Sequence, residues 1–329
     1  GQIFMLRSVT RINHGRRNAL LGEIPKEKRK GFFKKDPMLY VNAPATARMH
    51  KASMLERFGK IRKAVDTLSY NQLRLADGAK LGIIACGLSY SYTLEAIKWL
   101  GLDDKVSILK IGTPHPLPGE LVKRLLGSVE EVLVIEELDP FIENHVKVIA
   151  QEANIQVKIH GKDLLPIIGE LSTRNVIDAI AKLTNSKVPI DFGELDGLMK
   201  ETAPLLPMRP PIMCVGCPHR ASLYAIRVAS RKVARDYGKD IEPMKPLGCA
   251  RSLVGFIPPL ENPEFVICMG ASFGLANGLA HVVDVPIVAS MGDSTFYHAG
   301  IPPMINAVYN KVNITMVVLD NSATAMTGF

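Results

Sequence analysis

Two short stretches of this 329-residue chain carry residue types that could do chemistry together. Gly292-Asp293-Ser294 closes one apolar run and Asp320-Asn321 closes the next, with Asn321 lying 28 positions after Asp293. A carboxylate and an amide oxygen are hard donors that suit Mg²⁺, an ion that keeps several waters and completes its shell with phosphate oxygens. Gly292 permits a sharp turn and a close backbone approach, so N–H groups there can face a phosphate. The spacing therefore describes a metal–diphosphate site at the ends of two strands. The same residues also fit a plainer reading, in which Asp293 caps a helix and Asp320-Asn321 is a turn.

Other reactive residues lie upstream. Cys214-x2-Cys217 has metal-type spacing and Cys249 is a candidate third ligand, whereas an iron–sulfur cluster needs four. Cys86 and Cys268 fall on other segments, so buried, redox-inert thiols are the competing account. His219 and Arg220 follow Cys217-Pro218 at a helix start, and His298 stands five residues after Asp293. Gly270-Ala271-Ser272-Phe273-Gly274 matches the nucleophile elbow of α/β-hydrolases, after a strand and opening a helix. That alternative would need Asp293 and His298, both on one short loop, as acid and base. Gly270, Gly274 and Gly278 also form a small face every four residues, which suits close helix packing.

The elements that must hold these residues alternate between strand and helix. KLGIIACG, KVSILKIG, EEVLVIEE and IQVKIH read as strands, separated by helices over 92–100, 118–126 and 141–153. Strands spaced by helical stretches imply a parallel, doubly wound sheet over 77–165. A second α/β domain is expected over 211–329, with a helix over 219–235, strands at EFVICMG, VPIVASMGD and NITMVVLDN, and a helix over 302–310. The proline-rich stretch 166–210 reads as a linker with one helix near 175–183. Residues 31–76 read as a basic linker and helix (52–70), and 1–30 as the end of a truncated domain. The expected fold class is thus α/β, with two doubly wound, mainly parallel-sheet domains, the second incomplete. The apolar run Ile314–Leu319 reads as a strand buried on both faces, which needs neighbours. With Gly1 at the start and Phe329 shortly after that strand, the chain reads as a piece of a longer polypeptide.

Composition narrows the class. The net charge of +8 is uneven: residues 1–75 hold 17 Lys and Arg against 5 Asp and Glu, and the remainder 23 against 27. The basic run from Lys26 to Lys35 lacks interleaved stacking aromatics apart from Phe32 and Phe33. It reads as a solvated strip or one facing an acidic partner, and not as a nucleic-acid surface. There is no run of about 18 apolar residues and no secretory leader pattern, so neither a membrane span nor export is expected. Five cysteines in a chain of this length are no disulfide scaffold, and a cytoplasmic setting is expected.

The longer text around these residues resembles a known family. PPIMCVGCPHRASLYAIR, CMGASFGLANGLA and GDSTFYHAGIPPMINAVYNKVNITMVVLDNSATAMTG are similar to the alpha subunits of indolepyruvate ferredoxin oxidoreductases, within the thiamine diphosphate-dependent 2-oxoacid:ferredoxin oxidoreductases. The likeness continues through GIIACGLSYSY, LKIGTPHPLPGELV and VEEVLVIEELDPFIE, and weakly through LRSVTRINH. Ser294 replaces the third Gly of the family's GDG motif. The resemblance implies a domain like the C-terminal domain of transketolase followed by a thiamine diphosphate-binding domain. It implies Mg²⁺ held by Asp293, Asn321 and the Ala323 carbonyl, with Gly292, Ser294 and Thr295 against the diphosphate. Cys217 and His219 would lie near the cofactor, His219 and His298 would be catalytic, and His14 and Arg11 would approach the substrate. Cys214, Cys217 and Cys249 match a pattern that helps hold a [4Fe-4S] cluster in related enzymes, although Val215 stands where Pro is usual. The implied reaction oxidatively decarboxylates an aryl 2-oxo acid to an acyl-CoA, with ferredoxin as electron acceptor and a beta subunit as partner in a hetero-oligomer. A non-oxidative thiamine-dependent decarboxylase and a non-catalytic subunit are the alternatives. The pyrimidine-binding and ferredoxin-like domains of the family are not represented in this chain.

Overall fold

The computed structural model describes residues 5–13, 15–16, 18–24, 31–207, 213, 215–236, 244–248, 255, 258 and 260–323. They fall into two compact units, 1–201 and 202–329.

The first unit is an α/β sandwich around a five-stranded sheet. Its elements are α1 (Pro44–Val65), β1 (Gln72–Arg74), β2 (Leu81–Cys86), α2 (Leu88–Leu100), β3 (Ser107–Ile111), α3 (Gly119–Leu126), β4 (Glu131–Ile135), α4 (Phe141–Glu152), β5 (Lys158–His160), α5 (Thr173–Thr184) and α6 (Phe192–Thr202). The strand order is β1-β3-β2-β4-β5, parallel except for β1, which runs antiparallel to β3. Side chains alternate across the pleat, so Ile83 and Ile135 enter one core while Ile84 and Val134 enter the other. Burial on both faces explains why these strands are continuous apolar runs. Val122, Leu125 and Leu126 of α3 are almost wholly buried; each such side chain contributes roughly 1.5–3 kcal/mol.

Several boundaries differ from the sequence expectation. α1 starts at Pro44, where proline at the first helical position loses no hydrogen bond, and ends at Val65. Among the described residues of 1–30 there is no strand, only a helical turn at Thr10–Asn13. The stretch 166–210 is more than a connector: α5 inserts Val176, Ile177 and Ile180 into the core shared with α2. Its start is a reciprocal cap, Ser172 Oγ accepting from Asn175 N–H at 3.4 Å and Asn175 Oδ1 accepting from Ser172 N–H at 3.0 Å.

The second unit contains α7 (Pro218–Asp236), β6 (Met244–Gly248), β7 (Phe265–Val266), α8 (Ala271–Leu279), β8 (Ile287–Gly292), α9 (Ile301–Tyr309) and β9 (Ile314–Leu319). Its sheet has the order β7-β6-β8-β9, all parallel. Phe273 and Ala276 of α8 pack with Ile287, Ala289 and Met291 of β8 to form its core. No helix among the described residues is long and apolar enough to cross a membrane.

Candidate functional site

β8 and β9 are direct neighbours, paired in register over six residues from Ile287↔Ile314 to Gly292↔Leu319. The next residues, Asp293 and Asp320, therefore leave the sheet together at its carboxyl edge, where open α/β sheets bind ligands. Asp293 opens a short helical turn, Asp293–Thr295, and its Oδ1 accepts from Ser294 N–H at 2.8 Å. That bond leads the causes holding its carboxyl below the usual range, joined by a side-chain hydrogen bond with Asp320 and by the backbone N–H groups of Ser322 and Asn321. The Asp293 side chain thus reaches across to the turn that follows β9.

That turn is itself shaped by its acidic residue. Asp320 Oδ1 accepts from Ser322 N–H at 3.0 Å and from Ser322 Oγ at 3.4 Å. Ser322 sits at φ +54, in the left-handed region that non-glycine residues seldom occupy. Asn321 Oδ1 accepts from Ala323 N–H at 3.3 Å. Two carboxylates and a carboxamide oxygen so gather at one edge. Among the described residues, neither acid is ion-paired with a Lys, Arg or His side chain. A hard divalent cation fits this donor set in charge and ligand type. The sequence places Asp320 in the turn beside Asn321 without marking it as a candidate ligand.

The floor of the site is close-packed. Gly270 has φ +93, and a Cβ built there would lie 2.6 Å from Ala299 Cβ. Phe296 meets Phe273 edge to face with centroids 6.4 Å apart. Residues Phe296–Gly300 form a π-helical turn, a form frequent at functional sites, and His298 on it is exposed. Ser272 is only 2% exposed, and its Oγ has no hydrogen-bond partner among the described residues. A nucleophilic serine needs a base within hydrogen-bond reach, so the elbow reading finds no support here. Thr295 is buried beneath the site and Ser294 is half-buried.

The remaining candidates stand apart in the chain. His219 is 3% exposed in the first turn of α7, and Cys217 packs beside the small cluster of Met213, Leu223 and Leu260. Arg220 donates to Met213 O at 2.7 Å, which ties the helix start to the preceding segment. In the first unit, Arg11 pairs with Glu170 at 2.7 Å. His14, Cys214 and Cys249 lie outside the described residues. Among those described, no three His, Cys, Asp or Glu side chains converge as a metal cluster.

Known protein families match segments of both units. Residues 251–329 match the family "Thiamine pyrophosphate enzyme, C-terminal TPP binding domain", and residues 72–195 match "Indolepyruvate oxidoreductase domain". The class is thus that of thiamine pyrophosphate enzymes. Over 98–100% of its length the chain is 43% identical to indolepyruvate oxidoreductase subunit IorA of Thermococcus kodakarensis, 42% to that of Pyrococcus horikoshii and 41% to that of Archaeoglobus fulgidus. It belongs to the indolepyruvate oxidoreductase IorA family. The chain spans about half the length of these curated relatives, 51–52%. A solved 2-oxoglutarate:ferredoxin oxidoreductase from Magnetococcus marinus is more distant, at 18% identity over 43% of this chain and 23% of that one, with a TM-score of 0.32, too low to inform function.

Proposed function

We propose that this chain supplies the central and diphosphate-binding parts of an enzyme that oxidatively decarboxylates an aryl 2-oxo acid of the indolepyruvate type to its acyl-CoA, passing electrons to ferredoxin. The observation that carries the reading is the meeting of Asp293 with the Asp320-Asn321 turn at the ends of two adjacent parallel strands. Thiamine diphosphate, when bound, would supply the nucleophilic carbon and the electron sink that decarboxylation requires.

The chain's own residues do the placing. The side chains of Asp293 and Asn321 and the carbonyl of Ala323 would hold Mg²⁺. Gly292, Ser294 and Thr295 would lie against the diphosphate, where the missing Cβ of Gly292 lets backbone approach oxygen closely. His298, exposed on its π-helical turn, is suited to exchanging a proton with a bound acid, whereas buried His219 is suited to orienting a neighbour. Cys217, with Cys214 and Cys249, would contribute thiolates to a [4Fe-4S] cluster. The partners of this reading are a beta subunit and ferredoxin in a hetero-oligomer, in the reducing cytoplasm where free thiols persist.

The test uses the complete protein with its partner subunit, because the relatives are about twice as long. Asp293→Ala is expected to abolish Mg²⁺-dependent retention of thiamine diphosphate through gel filtration. Unchanged retention would overturn the assignment of the site.

A further inference from the structure

We propose that the outer face of α1, together with the ring cluster at its C-terminal end, is the docking surface for an acidic face of the partner subunit. This inference rests on the reading of the chain as one subunit of a hetero-oligomer and adds where the contact falls. α1 carries six Lys and Arg against one Glu, and all six are exposed. Among the described residues its single ion pair is internal, Lys60 with Glu56 at 2.6 Å. Arg48 and Lys51, Arg57 and Lys60, and Lys60 and Lys63 stand three apart, where like charges destabilise a helix unless a counter-charge reaches them. Only Val65 is buried, so core packing holds one end of the helix and little else of it.

The chemistry of this face narrows its occupant. Phe58 of α1 meets His115, in the loop after β3, with ring centroids 5.5 Å apart, and His115 meets Phe141 at 6.3 Å. The Arg62 guanidinium lies over the Phe58 ring at 5.3 Å. Phe141 opens α4 and is 45% exposed, and His145 packs on it at 4.5 Å. Arg beside clustered aromatic rings is the composition of a protein interface core. These rings pack on one another, so they do not present the separate platforms on which nucleic-acid bases stack. The apolar stripe of Phe58, Ile61 and Val65 is the less exposed side of α1, so the helix does not turn an amphipathic face to a lipid surface. What remains outward is positive charge with exposed Met49 and Leu55 among it, and an acidic protein face complements that. With 22 residues, α1 is about 33 Å long, close to the roughly 30 Å width of a standard interface.

The experiment takes the complete protein co-purified with its partner subunit and reads subunit dissociation by analytical ultracentrifugation, over a dilution series at low and at physiological ionic strength. Lys51→Glu, Arg57→Glu and Lys63→Glu together are expected to raise the Kd for the partner subunit at least about tenfold and to flatten its dependence on salt. Phe141→Ala is expected to raise it without changing the salt dependence, because it removes a ring and no charge. If the charge-reversed complex dissociates as the wild type does, the inference falls and the proposed reaction stands. If the wild type holds no partner subunit at all, the hetero-oligomer reading falls and this inference with it. If the three reversals leave the subunits together but abolish binding to phosphatidylserine vesicles, the face is a lipid surface and the inference is overturned. Should the reversed chain fail to fold, Lys51→Gln, Arg57→Gln and Lys63→Gln together carry the same comparison and are judged by the same outcomes.

Discussion

Gly292 and Leu319 are the last register partners of β8 and β9, so Asp293 and Asp320 emerge from the sheet at the same level. The pairing of the two acids is thus fixed by backbone hydrogen bonds and does not depend on flexible side chains finding each other. A register slip of one residue would displace one acid by about 3.3 Å and turn the strand's buried side chains outward. Burial of Ile287, Ala289 and Met291 in the core guards against that slip.

The site should stay charged in mild acid. Asp293 is held below the usual carboxylate range, first by Ser294 N–H and then by the Asp320 side chain and the N–H groups of Ser322 and Asn321. A depressed acid contributes fully above its unfolded value, about 3.9, and loses that contribution as pH falls through the lower folded value. Mn²⁺ retention by the complete protein is expected to be flat from about pH 8 to about pH 5 and to decline only below about pH 4. A midpoint near neutrality, in a retention assay across pH, would contradict this.

Gly270 should tolerate no side chain. At φ +93 any L residue is strained, and its Cβ would collide with Ala299 Cβ at 2.6 Å. Gly270→Ala is expected to cost about 2–4 kcal/mol from the combined strain and overpacking. Chemical denaturation of the complete protein measures the loss, and a stability within about 0.5 kcal/mol of wild type would refute the close approach.

Ser272 should be dispensable. Its buried hydroxyl has no partner among the described residues, so Ser272→Ala removes an uncompensated polar group and is expected to leave stability equal or up to about 1 kcal/mol higher. Turnover of the assembled enzyme should stay within about twofold. A nucleophile in an elbow would instead lose orders of magnitude.

Glu136 should hold the start of α4 and give it a pH dependence. Its two carboxyl oxygens accept from Ile142 N–H at 2.8 Å and Glu143 N–H at 2.9 Å. Glu136→Ala is expected to cost about 1–3 kcal/mol through the unpaired donors. Burial pushes the Glu136 carboxyl above the usual range, against the pull of the Glu143 and Ile142 N–H groups. A raised acid contributes fully below its unfolded value, about 4.3, and its contribution is lost as pH rises through the folded value. Amide exchange of α4 should therefore open more readily across that rise, and Glu136→Gln should abolish the trend.

The strands β2, β3, β4, β8 and β9 are legible in the sequence because each is an apolar run ending in a turn. β1 was not, since Gln72–Arg74 has only three residues and no alternation. β6 escaped because Pro246 sits inside it, and proline argues against a strand. α5 is legible as a helix near 175–183, but the prolines around it make the stretch read as a linker and hide its packing into the core. For the site, the spacing of Asp293 and Asn321 is readable without coordinates. Asp320 is not, because an Asp before Asn in a turn looks like turn chemistry, and only the register of β8 on β9 turns it toward Asp293.

A buried carboxamide helps tie the long basic helix to the rest of its unit. Asn71 is buried, donates to Val65 O at 2.8 Å and Thr113 Oγ1 at 2.7 Å, and accepts from the N–H groups of Gly112 at 2.8 Å and Thr113 at 3.1 Å. Asp66 adds a second tie through the N–H groups of Glu120 and Leu121. Since Val65 is the one buried residue of α1, the helix is a lever clamped at one end. A load applied along its charged length is delivered to the loop after β3 through Asn71 and to the start of α3 through Asp66.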